Sequence, residues 1–143
     1  MATNSIAISK DVEAISFWQG AVVVLGRFLF ALIFLMPGAN HFNKQTVGYA
    51  ASQGVPLAST AVPLAGVLAI AGGLSILLGY RTKLGAWLIV LFLVPVKFWT
   101  VQDPMMAQVQ MIMFMKNISM LGGALLISQF GAGPLSLDAP RSR

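Results

Sequence analysis

Four apolar runs, each close to the length that crosses a bilayer, take up most of this sequence and leave room for little else. A spanning helix needs about 20 predominantly apolar residues, because backbone polar groups in hydrocarbon must be satisfied within the segment. The runs cover about 17–37, 61–80, 84–100 and 107–130. Of the 143 residues, 57% are hydrophobic and only 9% charged, whereas a soluble domain carries about 25% charged residues. The expected fold is therefore all-α: one four-transmembrane-helix bundle over 15–134, with a polar N-terminal tail at 1–14 and a C-terminal tail at 135–143.

Local signals set the expected ends of the spans. Pro37-Gly38 closes the first run at Met36, and Pro63 is tolerated in the first turn of the second, where its missing N–H would have no helical partner. Gly131-Ala132-Gly133-Pro134 stops the fourth. The connection from Gly38 to Thr60 is too polar to span. It places Phe42, Thr46, Tyr49, Ala50 and Gln53 at helical spacing before Gly54-Val55-Pro56, which predicts a short helix on the outer surface between the first two spans. The first fourteen residues do not read as a signal peptide, because Asp11 and Glu13 interrupt the basic-then-apolar order.

Charge gives the topology and excludes several functions. With four spans, Lys10, Arg81, Lys83, Arg141 and Arg143 share one side and only Lys44 and Lys97 the other, so both termini are predicted cytoplasmic. Trp18, Tyr80 and Trp87 fall at the cytoplasmic ends and Trp99 at the far end, as interfacial aromatics do. The net charge of +5 is scattered singly rather than gathered in a stripe, which argues against a nucleic-acid partner. No cysteine is present, which excludes thiolate chemistry and Cys-held clusters. His41 is the single histidine, so bis-histidine haem is excluded, and no metal site or catalytic constellation is predicted. Asp103, before Pro104, starts a turn and finds no catalytic partner.

Helices in lipid associate through small residues and interhelical hydrogen bonds. Ala65, Ala69 and Gly73 in the second span, and Ser119 and Gly123 in the fourth, are the expected packing positions. Pro95 predicts a kink in the third. Gln110, Met113, Asn117, Met120 and Ala124 form a further face of the fourth. The Asn117-Ile118-Ser119 sequon lies inside an apolar helix and is not expected to be glycosylated.

Arg27 and Lys116 stand out because each lies within an apolar span. Such a cation costs about 2.5–3.5 kcal/mol at the bilayer centre and normally has a partner or a wet cavity. The four acids, Asp11, Glu13, Asp103 and Asp138, all fall in tails or at interfaces. A quinone carbonyl, a lipid phosphate or a partner subunit's carboxylate would complete a site built on Arg27, Lys116 and Asn117; snorkelling without a ligand is the alternative. No resident cofactor is predicted beyond quinone or bound phospholipid, and the expected partners are membrane lipids and other membrane subunits.

The order of features from about Gly26 to Asp138 resembles the DoxX family of bacterial four-helix membrane proteins. The matching pieces are Gly26-Arg27-Phe28-Leu29-Phe30-Ala31-Leu32-Ile33-Phe34, Tyr49 through Gly54-Val55-Pro56, Gly72-Gly73 through Gly79-Tyr80-Arg81-Thr82, Phe98-Trp99, Phe114-Met115-Lys116-Asn117 with Leu121-Gly122-Gly123, and Gly133-Pro134-Leu135-Ser136-Leu137-Asp138. The resemblance implies an inner-membrane protein found near redox systems, with relatives associated with a thiosulfate:quinone oxidoreductase or with assemblies that handle oxidative stress. Ala69 stands where relatives often carry Glu, and Val96-Lys97 where many have His ahead of Phe-Trp. Both departures remove proton-exchanging groups. The reading is thus a non-catalytic accessory or anchor subunit of a membrane redox or respiratory assembly. A quinone-interacting oxidoreductase subunit is the alternative, and a small transporter ranks third because the spans hold few polar residues.

Overall fold

The computed structural model describes residues 2–96, 107–133 and 135–139, with side chains at 17–94, 108–133 and 135–139. The described residues form α1 (Ala2–Asn40), α2 (Lys44–Ser52), α3 (Ala58–Leu78), α4 (Thr82–Val96) and α5 (Ala107–Phe130), with no strand among them. Three are long and apolar enough to cross a membrane, over Phe17–Asn40, Ala58–Leu78 and Gln108–Phe130. The apolar part of α4, Thr82–Val94, is shorter. The whole of α4, 15 residues, rises about 22 Å, less than the roughly 30 Å of hydrocarbon. A fourth crossing would need α4 to continue past Val96, and Lys97, Trp99, Asp103 and Pro104 lie outside the described residues.

α3 is the central element, packed on α1 on one side and α4 on the other; α4 in turn carries α5, and α2 lies against α3. Small residues permit this closeness. A Cβ on Gly73 would lie 3.0 Å from Leu35 of α1, and one on Gly72 would lie 2.8 Å from the Gly85 carbonyl of α4. The core joins Phe34, Ala69, Ile76, Ala86, Ile89, Leu93 and Ala124. Phe34 meets Phe92 edge-on at a centroid separation of 6.1 Å. Outside this core the spans present Leu29, Leu64, Leu91, Ile112 and Leu126, all more than half exposed, as lipid-facing surfaces do.

Several boundaries differ from the sequence expectation. α1 does not close at Met36: it runs through Pro37-Gly38 to Asn40. Proline removes only one donor from the ladder, and Gly38 serves close approach rather than termination, since a Cβ there would lie 2.9 Å from Ile70 of α3. The fourteen residues read as a polar tail continue the same helix from Ala2. α3 begins three residues earlier than expected, after Leu57, which adopts a left-handed φ of 50°. The short helix between the first two spans is α2, with Asn43 accepting a hydrogen bond from the Gln45 N–H at 3.0 Å. Pro95 is the penultimate residue of α4, so no described turn follows it to display a kink.

Candidate functional site

The α3–α4 link is a short turn, Gly79-Tyr80-Arg81, and it carries two left-handed residues, Gly79 at φ 65° and Arg81 at φ 47°. Gly79 ends α3 with its N–H on the Ile76 and Ser75 carbonyls. Ser75 Oγ donates to the Tyr80 carbonyl at 2.6 Å and pins the turn. Arg81 is not a residue that adopts positive φ freely, and it is held there by a bond from outside the turn. Its N–H donates to Asp138 Oδ1 at 2.7 Å, and the Thr82 N–H donates to Oδ2 at 2.8 Å. Asp138 thus supplies the acceptor that α4 lacks locally, since the residue before Thr82 is an arginine and not a capping Ser, Thr, Asp or Asn.

Asp138 belongs to a strap, residues 131–133 and 135–139, that folds back from the end of α5 onto the middle of α1, at Val23 and Arg27, and onto the α3–α4 turn. The strap turns at Gly131 and Gly133, with φ 76° and 78°. Its Asp138 N–H donates to the Gly79 carbonyl at 2.8 Å. The backbone bonds of Arg81 and Thr82 to its carboxylate, with the Arg27 charge nearby, hold Asp138 below the usual carboxylate range against the opposing effect of desolvation.

Arg27 is the other half of this arrangement. It is 6% exposed, and its guanidinium donates from Nη1 to the Ala132 carbonyl at 3.0 Å and from Nη2 to the Leu135 carbonyl at 2.7 Å. Two diverging acceptors suit the fork of an arginine and not the point charge of a lysine. The guanidinium also rests against Gly79: a Cβ there would collide with Nη1 and lie 2.6 Å from Ser136 Cβ. It therefore sits where the C-terminal ends of α3 and α5 converge, and a cation is favoured beside such carbonyl-rich ends. Arg27 Nε has no hydrogen-bond partner among the described residues.

The structure places the other sequence-derived candidates elsewhere. Lys116 is exposed on α5 and Asn117 half-buried. α1 and α5 touch where Phe30 meets Gly123, whose Cβ would lie 2.8 Å from the ring. Arg27 is one turn to one side of that contact, and Lys116 lies seven residues, about 10 Å, to the other. Arg27 is therefore separated along the bundle from Lys116 and Asn117. Of the packing positions, Ala69 and Gly73 are buried, Ala65 and Gly123 half-buried and Ser119 exposed. Gly66 and Gly85, not singled out from sequence, make equally close contacts, with His41 and with Ser75. His41 Nδ1 lies 3.0 Å from the Pro37 carbonyl in the last turn of α1, just past whose end His41 stands. Among the described residues no group of three His, Asp or Glu side chains gathers as a metal site requires.

The family model described as DoxX matches residues 22–102, more than half of the chain. The chain belongs to the DoxX family. It is similar to the inner membrane protein YqjF of Escherichia coli, 34% identical over 122 residues, covering 81% of this chain and 88% of the relative. It is also similar to the inner membrane protein YphA of the same organism, 30% identical over 127 residues, covering 82% and 88%. No solved structure matches significantly. The DoxX match takes in Arg27 and the Gly79–Thr82 turn but stops short of the strap. Sequence reasoning left Arg27 without an acid. Asp138 lies 111 positions away in a tail, and its one local clue was the missing cap of α4.

Proposed function

We propose that this DoxX-family protein is a non-catalytic accessory subunit that anchors or stabilises a larger redox or respiratory assembly in the bacterial inner membrane. The two inner-membrane relatives support the location, and the Lys/Arg distribution supports cytoplasmic termini with α4 as a fourth crossing. One observation carries the functional reading. Lys116 sits in the apolar stretch of α5 on an exposed face with Ile112 and Met113, one turn before it and each more than half exposed. An exposed lysine at that depth favours a carboxylate on a neighbouring membrane protein, and an unbranched methionine adapts to an irregular partner surface. Arg27 points the same way, because both of its terminal nitrogens donate to the strap.

Gentle detergent extraction tests this. The chain is expected to migrate with a larger assembly, and Lys116→Leu is expected to release it while leaving the isolated protein folded. A chain that runs alone under every mild extraction, or an assembly indifferent to Lys116→Leu, would refute the reading.

A further inference from the structure

Beside the strap, on the side away from Arg27, lies a cavity of about 620 Å³, within the roughly 300–1,000 Å³ range of small-ligand pockets. Its walls combine two chemistries. Arg81 and Lys83 supply positive charge, and Leu84 and Phe130 supply apolar surface. We propose that this pocket holds the headgroup of an anionic phospholipid, with the acyl chains running up the outer faces of α4 and α5.

The charge balance favours an anion. Asp138 is the only carboxylate lining the pocket among the described residues. Both of its oxygens are turned to the Arg81 and Thr82 N–H groups, and its charge faces that of Arg27. The side chains of Arg81 and Lys83 remain as two further cations at the rim. The Arg81 guanidinium stands 5.8 Å above the Tyr80 ring, and Lys83 lies along Gly131, its Cε 3.7 Å from where a Cβ would be.

The apolar walls distinguish a lipid from a soluble anion. Phe130 is 83% exposed and continues along α5 into exposed Leu126, while Leu84 continues along α4 into exposed Trp87 and Leu91. The pocket is thus open towards the hydrocarbon between two lipid-facing helix surfaces. Tyr80 and Trp87 mark the level of the headgroups, where amphipathic rings settle. This site is independent of the partner-docking reading: Phe130 is fourteen residues from Lys116, about 21 Å along α5.

Native mass spectrometry of the full chain in detergent, given equal phosphatidylglycerol and phosphatidylcholine of identical acyl chains, tests the inference. Each Lys or Arg near an anionic headgroup is worth enough for about a fivefold change in binding. With two such cations, the wild type is therefore expected to retain phosphatidylglycerol over phosphatidylcholine by roughly 25-fold. Arg81→Gln with Lys83→Gln should abolish that preference. Lys83→Gln alone, which leaves the left-handed turn untouched, should lower it about fivefold. Lys116→Gln should leave it unchanged. A preference left undiminished by Lys83→Gln, or one that falls equally with Lys116→Gln, overturns the proposal. Full displacement of the lipid by millimolar inorganic phosphate would assign the pocket to a soluble anion and overturn it likewise.

Discussion

Replacing Arg27 with leucine isolates what the buried guanidinium does. The substitution puts an apolar side chain in the span and deletes two hydrogen bonds from a charged donor, at 3.0 and 2.7 Å. Such bonds contribute about 1.5–3 kcal/mol each, a gross loss of roughly 3–6 kcal/mol. Two effects reduce it. The Leu135 bond is only part-buried, so water replaces some of it, and leucine removes the cost of burying Nε without a partner. The expected net cost is about 2–4 kcal/mol, felt first in the strap. Because 1.4 kcal/mol is tenfold in a population, the released strap should become at least roughly 30-fold more populated. Limited chymotryptic cleavage after Leu135 and Leu137, followed by intact mass, reads this directly when opening is fast relative to cleavage. Arg27→Lys, which retains the charge but not the fork, should fall between wild type and Arg27→Leu. A strap cleaved at the same rate in Arg27→Leu and wild type, with unchanged thermal stability, would refute the assignment of Arg27 as the strap's anchor.

The remaining expectations follow from the same geometry. Gly79→Ala combines a left-handed φ, which costs a β-carbon about 1–2 kcal/mol, with a collision against Arg27, and it should lower the melting temperature in detergent more than any other single alanine in the turn. The neighbouring glycines of α5 should separate cleanly: Gly122→Ala meets nothing within 4 Å and should be neutral, whereas Gly123→Ala would lie 2.8 Å from the Phe30 ring and should destabilise. Asp138 is held below its ordinary carboxylate range, so its contribution is present above the unfolded value, about 3.9, and is lost as pH falls through the lower folded one. The stability gap between wild type and Asp138→Asn should thus stay constant from about pH 5 to 8 and close below about pH 4; a gap that widens on acidification would contradict the cap.

How much was legible in the sequence depended on whether the signal was local. Span length and apolar content are properties of contiguous residues, and they identified an all-helical membrane chain with the apolar stretches of α1, α3 and α5 close to where the structure has them, though not the N-terminal extension of α1. Small residues at four-residue spacing singled out Ala69 and Gly73, both of which the structure buries. Spacing along one helix does not say which neighbour each face meets, so Gly66 and Gly85 passed unnoticed. The fate of Arg27 was beyond any local reading. A cation in an apolar run is anomalous by its position alone, but its acceptors are backbone carbonyls of Ala132 and Leu135, and every residue has a carbonyl. Side-chain identity at 132 and 135 therefore carries no trace of the contact. Only the folding back of the strap over the middle of α1 and the α3–α4 turn decided that the buried arginine closes one end of the bundle.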